Sequence, residues 1–309
     1  MLNLLSVLSS NEVTLNHVEK NLQIKTDTGE YLIPSDHFGE KPETIFRERN
    51  TFTLEGNILL EGISNTFFSA STDETKTVLC GINLQIQGKL NKFCATNAHH
   101  LSEIEIDSEI SNLDRDLQIS NKVCKLLLKS LSPQDTVSIA LGQESYVKPD
   151  SEEEVVTYEV TILQFGENTL KYSLPYSGKF PEYESLIPTR FERKLIVERL
   201  ALIEAIESTS AIAEQSKSSV KVVINQDNQE IKVSCECQDV GSSTVNLPAQ
   251  IAGGSYTYCF HLPYLLGGLK SLKSTEVCIS LNAALSPVII EPLSVQKRKF
   301  LIMPQQQRK

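Results

Sequence analysis

The sequence predicts an α+β fold made of repeated modules, each an amphipathic helix followed by antiparallel strands. Two patterns carry the prediction: a helical spacing of apolar residues that recurs along the chain, and two-residue alternation between the recurrences. Composition is the third observation. A chain of 309 residues, 40% hydrophobic and 22% charged, is long and apolar enough for two or three domains with real cores.

Five stretches have the three- and four-residue spacing that lines one face of a helix. They are Leu4, Leu5, Leu8; Leu59, Leu60, Ile63, Phe67; Val123, Leu127, Leu131 with Leu128 beside them; Leu200, Ile203, Ile206; and Leu265, Leu266, Leu269, Leu272. Their starts recur at intervals of roughly 55 to 75 residues. Between them the period falls to two. Val220, Val222 and Ile224 alternate, Gln226-Asp227-Asn228 supplies turn chemistry, and Ile231, Val233, Cys235 and Cys237 alternate again, which predicts a hairpin. Val155 to Leu163 and Leu170 to Leu174 form a second pair across Gly166-Glu167-Asn168. Leu79 to Ile86 and Leu90 to Cys94 form a third across Gln87-Gly88-Lys89.

One such module leaves an apolar helix face and an apolar sheet face open, so two modules bury each other. The helices near 57 and 121 form one pair, those near 197 and 262 another, and the helix near Met1 stands alone. Polar and Pro-containing stretches place boundaries near Arg49–Asn50 and Thr189–Arg190. The expected division is 1–50, 51–189 and 190–309, the first being a partial domain.

The formal charge is −10, from 39 acidic and 29 basic side chains, which argues against simple electrostatic gripping of DNA. No apolar run reaches membrane-spanning length, and Met1 to Ser10 lacks the basic leading region of a signal peptide, so a cytoplasmic protein with no membrane partner is expected. Seven cysteines with no C-x-x-C pattern are read as buried, reduced thiols, and neither a metal nor a cofactor is expected. His99-His100 with Cys94, and Asp73-Glu74, are the only hints of catalysis. Neighbouring strand residues point to opposite faces, and Asp73-Glu74 beside Lys76 reads as a solvated turn. Neither nucleotide-binding glycine motif is present.

Several segments resemble the bacterial DNA sliding clamp family, the beta subunit of DNA polymerase III. Phe68-Ser69-Ala70-Ser71-Thr72-Asp73-Glu74-Thr75-Lys76-Thr77-Val78-Leu79-Cys80-Gly81-Ile82 is similar to the segment after the first helix of its second domain. Cys94-Ala95-Thr96-Asn97-Ala98-His99-His100-Leu101 resembles its Ala-Thr-Asp-Gly-His-Arg-Leu. Phe180-Pro181-Glu182-Tyr183 through Ile187-Pro188 is similar to its linker into the third domain, and Tyr264-Leu265-Leu266 through Leu272 to its last helix. Ser286 to Ile290 and Leu301-Ile302-Met303-Pro304 resemble its closing strands.

The resemblance implies a non-catalytic processivity factor that encircles duplex DNA as a head-to-tail homodimer, while another subunit carries nucleotidyl transfer. It implies the DNA polymerase III alpha subunit, the clamp loader and other proteins with a clamp-binding motif as partners. It also implies that residues 1 to about 50, with the exit linker at Phe38 to Pro42, match only the second half of the first domain. A coding segment upstream of Met1 would supply the other half. Without it an apolar face and a sheet edge stay uncovered, and a diverged paralogue acting as a monomeric binder or regulator is the alternative.

Topological retention reconciles DNA with the net acidity, because a ring needs only diffuse, sequence-independent phosphate contacts. Lys122, Lys125 and Lys129 share one face of the third helix and Lys270 and Lys273 one face of the fifth, and the resemblance implies that they line the channel. It further implies a pocket for an extended partner peptide with apolar anchors. Leu79, Thr96, Ala98, His99, His100 and Leu101 contribute from the middle of the chain, Pro181, Ser185 and Leu186 from the linker, and Leu301, Ile302, Met303 and Pro304 from the last strand. The chain departs from the family at Asn97, Ala98, His100 and Ser185 and in its Gln305-Gln306-Gln307-Arg308-Lys309 tail, so weaker or altered peptide binding is expected.

Overall fold

The computed structural model describes residues 4, 7–8, 12–34, 44–108, 114–147, 155–174, 178–210, 219–237 and 241–306. The expected helix around Leu4, Leu5 and Leu8 falls largely outside these residues, and the Phe38 to Pro42 stretch wholly so. The chain forms two compact units, one of residues 1–46 with 144–158, the other of 47–143 with 159–309.

In the first unit, β1 (Thr14–Val18), β2 (Asn21–Lys25) and β3 (Glu30–Pro34) form an antiparallel sheet in that order. Ile24 is its one fully buried side chain.

The second unit holds four helices among the described residues: α1 (Gly56–Thr66), α2 (Asn121–Ser130), α3 (Arg199–Ser210) and α4 (Leu262–Ser271). They pair as the periodicity predicts, α1 against α2 and α3 against α4. Ser120 caps α2 by accepting from the Val123 N–H, and Pro263 sits in the first turn of α4, where a missing N–H costs nothing. Two predicted faces need correction. Leu128 on α2 and Leu200 on α3 are exposed, because each lies beside the buried stripe; on α3 that stripe is Leu202, Ile203, Ala205 and Ile206.

Nine strands make the central sheet: β5 (Gly81–Gln87), β6 (Leu90–Thr96), β7 (His100–Asp107), β8 (Asp114–Ser120), β12 (Arg193–Glu198), β16 (Gln250–Ala252), β18 (Glu276–Leu281), β19 (Val288–Pro292) and β20 (Lys297–Ile302). Their order is β16-β12-β18-β19-β20-β7-β6-β5-β8. The seam is β20 against β7, antiparallel, with Lys299 opposite Glu103 and Leu301 opposite Leu101. A four-stranded sheet, β15 (Gly241–Pro248), β14 (Glu230–Cys237), β13 (Ser219–Asn225), β17 (Tyr256–His261), lies in that order. Another runs β11 (Asn168–Tyr172), β10 (Val155–Phe165), β9 (Thr136–Val147), β4 (Ile45–Glu55). All three predicted hairpins form: β5–β6, β10–β11 and β13–β14.

Two large cores fill this unit, one from the α1–α2 half and one from the α3–α4 half. Each uses the same close approach of helix to sheet. A Cβ on Gly62 of α1 would lie 2.4 Å from the Phe93 ring of β6, and one on Gly268 of α4 would lie 2.0 Å from the Phe300 ring of β20. Glycine at the seventh residue of both helices lets a phenylalanine ring lie flat beneath the backbone. A third, small core of Cys94, Leu101, Tyr183, Ile289 and Leu301 sits on the seam's other face. The cysteine expectation needs correction in part: Cys94, Cys124, Cys235 and Cys259 are buried, while Cys80, at the end of the 3-10 segment before β5, and Cys278, between the core-facing Val277 and Ile279 of β18, keep partial exposure.

Candidate functional site

The turn from β6 to β7 is the centre of the site. Ala98 adopts φ +76°, the left-handed region. Side chains fix the turn around it. Asn97 Oδ1 accepts from the His99 and His100 N–H groups at 3.0 and 3.1 Å, and Thr96 Oγ1 donates to the His100 carbonyl at 2.8 Å. The Met303 N–H donates to the His99 carbonyl at 3.0 Å, and the Gln305 N–H to the Cys259 carbonyl at 2.7 Å, so the C-terminal stretch is held as an extended segment.

His99 is exposed and His100 buried. The expectation that they face opposite ways holds only for burial. His99 lies in the turn, before the strand begins, and both rings reach Tyr264 on α4, at centroid distances of 6.1 and 4.5 Å. His261 meets the same ring at 4.1 Å. Burial, reinforced by the nearby His99 and His261, lowers the His100 pKa from 6.5 to about 4, and burial with His99 also lowers that of His261. The His100 Nδ1 lies 3.0 Å from Ser69 Oγ.

Beside this cluster opens a cleft of about 480 Å³, lined by Phe68, Asp73, Lys76, His99, His100 and Tyr264 among others. Asp73, read as part of a solvated turn, caps a 3-10 segment at 74–79 by accepting from the Thr75 N–H and hydroxyl, which lowers its pKa. Of the cleft residues only His99 and His100 are among the thirteen groove positions inferred above. Phe68, Asp73, Lys76 and Tyr264 lay in segments already noted, but no periodicity marked them as lining a cavity.

The remaining eleven positions divide by depth. Leu101 and Leu301 belong to the small core under the linker. Pro181, Ser185 and Leu186 are exposed on the linker, Leu186 by 61%. Ala98 and Met303 are exposed, Leu79 is half-buried, and Thr96 and Pro304 are buried. Ile302 is fully buried in the α3–α4 core, on the helix side of the sheet, and its side chain offers no surface to a partner.

Lys122, Lys125 and Lys129 are exposed along α2. The fifth-helix pair is corrected: α4 ends at Ser271, so Lys273 lies beyond it, and Lys270 pairs with Glu207 of α3 at 2.6 Å. Among the described residues no group of three or more His, Cys, Asp or Glu side chains could hold a metal ion, and no helix is long and apolar enough to cross a membrane.

Paired helices backed by antiparallel sheets that join across one continuous seam define a protein of the DNA-clamp type. Residues 53–166 match the central domain of the DNA polymerase III beta subunit, and residues 184–306 match its C-terminal domain. The beta sliding clamp of Synechococcus elongatus is 29% identical over 306 residues, covering 97% of this chain and 77% of the relative. That of Synechocystis is 30% identical over 246 residues, covering 80% of this chain and 63% of the relative. The Pseudomonas aeruginosa DNA polymerase III subunit beta superposes with a TM-score of 0.77 at 20% identity, over 99% of this chain and 80% of its own. The Thermotoga maritima beta subunit gives 0.76, also at 20% identity, over 99% and 79%. The chain belongs to the bacterial beta sliding clamp family.

Proposed function

We propose that this chain works as a sliding clamp, a processivity factor that keeps a DNA polymerase on duplex DNA, with no catalytic role of its own. Family membership supports the function, and the exposed lysine row on α2 is the observation that carries the DNA-facing assignment. Three cations on one helix face of a protein with net charge −10 form a local basic stripe. Such a stripe makes diffuse phosphate contacts and leaves the rest of the surface repellent to DNA. Lys270 adds little to it, since Glu207 neutralises it.

The proposed division is a partial first domain at 1–50, a second at 51–189 and a third at 190–309, with two such chains closing a ring. The proposed partner groove runs past Ala98, His99 and Met303 and between the exposed Leu186 and the cleft at Tyr264. An extended peptide from the polymerase alpha subunit, the clamp loader or another motif-bearing partner would place apolar anchors there.

The experiment is retention on circular DNA after loading, across a salt series. Neutralising Lys122, Lys125 and Lys129 together to Gln is expected to shorten retention and lower the salt slope by up to about three. Unchanged retention and slope would refute the α2 assignment.

A further inference from the structure

We propose that Tyr183 and Glu103 are a positioning pair that holds the 180–187 linker as one wall of the partner groove; this rests on the groove reading above. Tyr183 is the one buried residue in an exposed run: Pro181, Glu182, Glu184, Ser185 and Leu186 all face solvent. Its ring enters the seam's outer face among Cys94 of β6, Leu101 of β7, Ile289 of β19 and Leu301 of β20. The cluster that receives the ring thus draws on four adjacent strands across the junction of the two halves. Its hydroxyl donates to Glu103 Oε2 at 2.6 Å, and both residues are only 2% exposed.

Lys299 Nζ, opposite Glu103 in the strand register, lies 3.5 Å from Oε1. Lys92 Nζ reaches Glu184 at 2.7 Å, a second tether one residue along. The short turn that displays Ser185 and Leu186 is bonded to the tyrosine's own backbone: the Leu186 N–H donates to the Tyr183 carbonyl at 2.9 Å and the Ile187 N–H to the Glu184 carbonyl at 3.2 Å. Fixing the Tyr183 ring therefore fixes where Leu186 stands.

A carboxylate is a costly way to fill this space. A leucine at 103 beside a phenylalanine at 183 would bury the same volume without desolvating a charge. What the charged acceptor adds is direction, a strong hydrogen bond that selects one ring position among the several that apolar packing allows.

The test compares the wild-type chain with E103Q, Y183F and the double variant Y183F/E103L. Three quantities are read: melting temperature, affinity for a fluorescein-labelled synthetic peptide carrying a clamp-binding motif with apolar anchors, and amide hydrogen exchange at Leu186 and Ile187. E103Q keeps an acceptor and should bind within about twofold of wild type. Y183F should bind about tenfold more weakly. The double variant removes the buried charge along with the hydroxyl it accepts from and leaves the part-exposed Lys299 to solvent, so its melting temperature should return to near wild type while binding stays about tenfold weak and Leu186 exchanges faster. That dissociation of stability from affinity is not expected of residues that only pack. Wild-type affinity and wild-type exchange in the double variant would overturn the proposal. If the wild-type chain does not bind the peptide, the groove reading fails and takes the docking half of this inference with it. Unchanged exchange in the double variant would then overturn the holding half as well, and faster exchange would support it.

Discussion

On the helix side of the β7–β20 seam a buried cation, Arg298, holds the ends of two helices. On the opposite side a buried anion, Glu103, holds one tyrosine of a linker. Both side chains are 2% exposed, yet their surroundings differ. Arg298 donates to Asn65 Oδ1 and to the Asn65 carbonyl, each at 2.7 Å, to Ser271 Oγ at 2.7 Å, and to the Ser271 carbonyl. It therefore satisfies orphan carbonyls at the ends of α1 and α4 together, and the helix dipoles favour a cation there. Ser102 adds a bond to the same Asn65 carbonyl at 2.9 Å. Glu103 instead accepts from one tyrosine hydroxyl beneath one short cover, with the Lys299 ammonium 3.5 Å from its other oxygen. The inner face is built to join two halves rigidly. The outer face is covered by a short segment held by the Tyr183 ring and by the Lys92–Glu184 pair.

The most severe way to break this contrast is Arg298→Met. The methionine would fill the aliphatic space but take the charged donor from the Ser271 carbonyl and Asn65 Oδ1, and leave the Asn65 carbonyl with Ser102. Hydrogen bonds to a charged group contribute about 1.5–3 kcal/mol each, so a loss of about 3 kcal/mol or more is expected, read as a lower urea midpoint with an unchanged slope. Burial already lowers the Arg298 pKa from 12.5 to about 10, which still leaves it charged at neutral pH. A loss under about 1 kcal/mol would mean that apolar packing alone joins the halves.

The second prediction uses His100, whose ring lies on the inner face against Phe68, Phe300 and Tyr264. Its pKa is lowered from 6.5 to about 4 in the fold, so the unfolded chain takes up the proton first as pH falls. Stability from the neutral ring is present above pH 6.5 and is lost progressively between about pH 6.5 and pH 4. The shift corresponds to about 3 kcal/mol at most. His261, lowered by burial and by His99, contributes in the same direction. Urea unfolding at pH 7.5, 5.5 and 4.5 checks the loss, and His100→Leu should flatten the curve. An equally steep curve in that variant would locate the acid sensitivity elsewhere.

The inner face was far more legible in the sequence than the outer one. Periods of 3.6 and two reveal which residues share a face, so α1, α2 and the β13–β14 hairpin could be read directly. Along β7, Glu103 falls on the face of Leu101, a charge among apolar neighbours, but nothing local marks its partner 80 residues away. The β7–β20 pairing joins residues far apart in the chain, 196 positions at Lys299 and Glu103, and strand patterns carry no address for their partners. Leu200 and Lys273 show the limit at short range. A residue beside a buried stripe and one just past a helix end both fit the helical spacing, and only the packed neighbours and the final turn of α4 decide them.

The gentlest test concerns the turn that sends one histidine to solvent and the next into the core. Ala98 holds φ +76°, where a Cβ crowds the following carbonyl, at a cost of roughly 1–2 kcal/mol. Glycine removes that cost but frees the unfolded chain, which returns about 0.4–1 kcal/mol in the opposite direction. Ala98→Gly should therefore stabilise the chain by about 0.5–1 kcal/mol, seen as a small rise in urea midpoint. Because the Asn97 and Thr96 bonds to the turn do not involve the Ala98 side chain, His100 should stay buried and the acid loss described above should keep its shape. If Ala98→Gly instead flattens the pH curve, the alanine is what directs His100 inward, and the turn's conformation is set by its side chain and not by the hydrogen bonds around it.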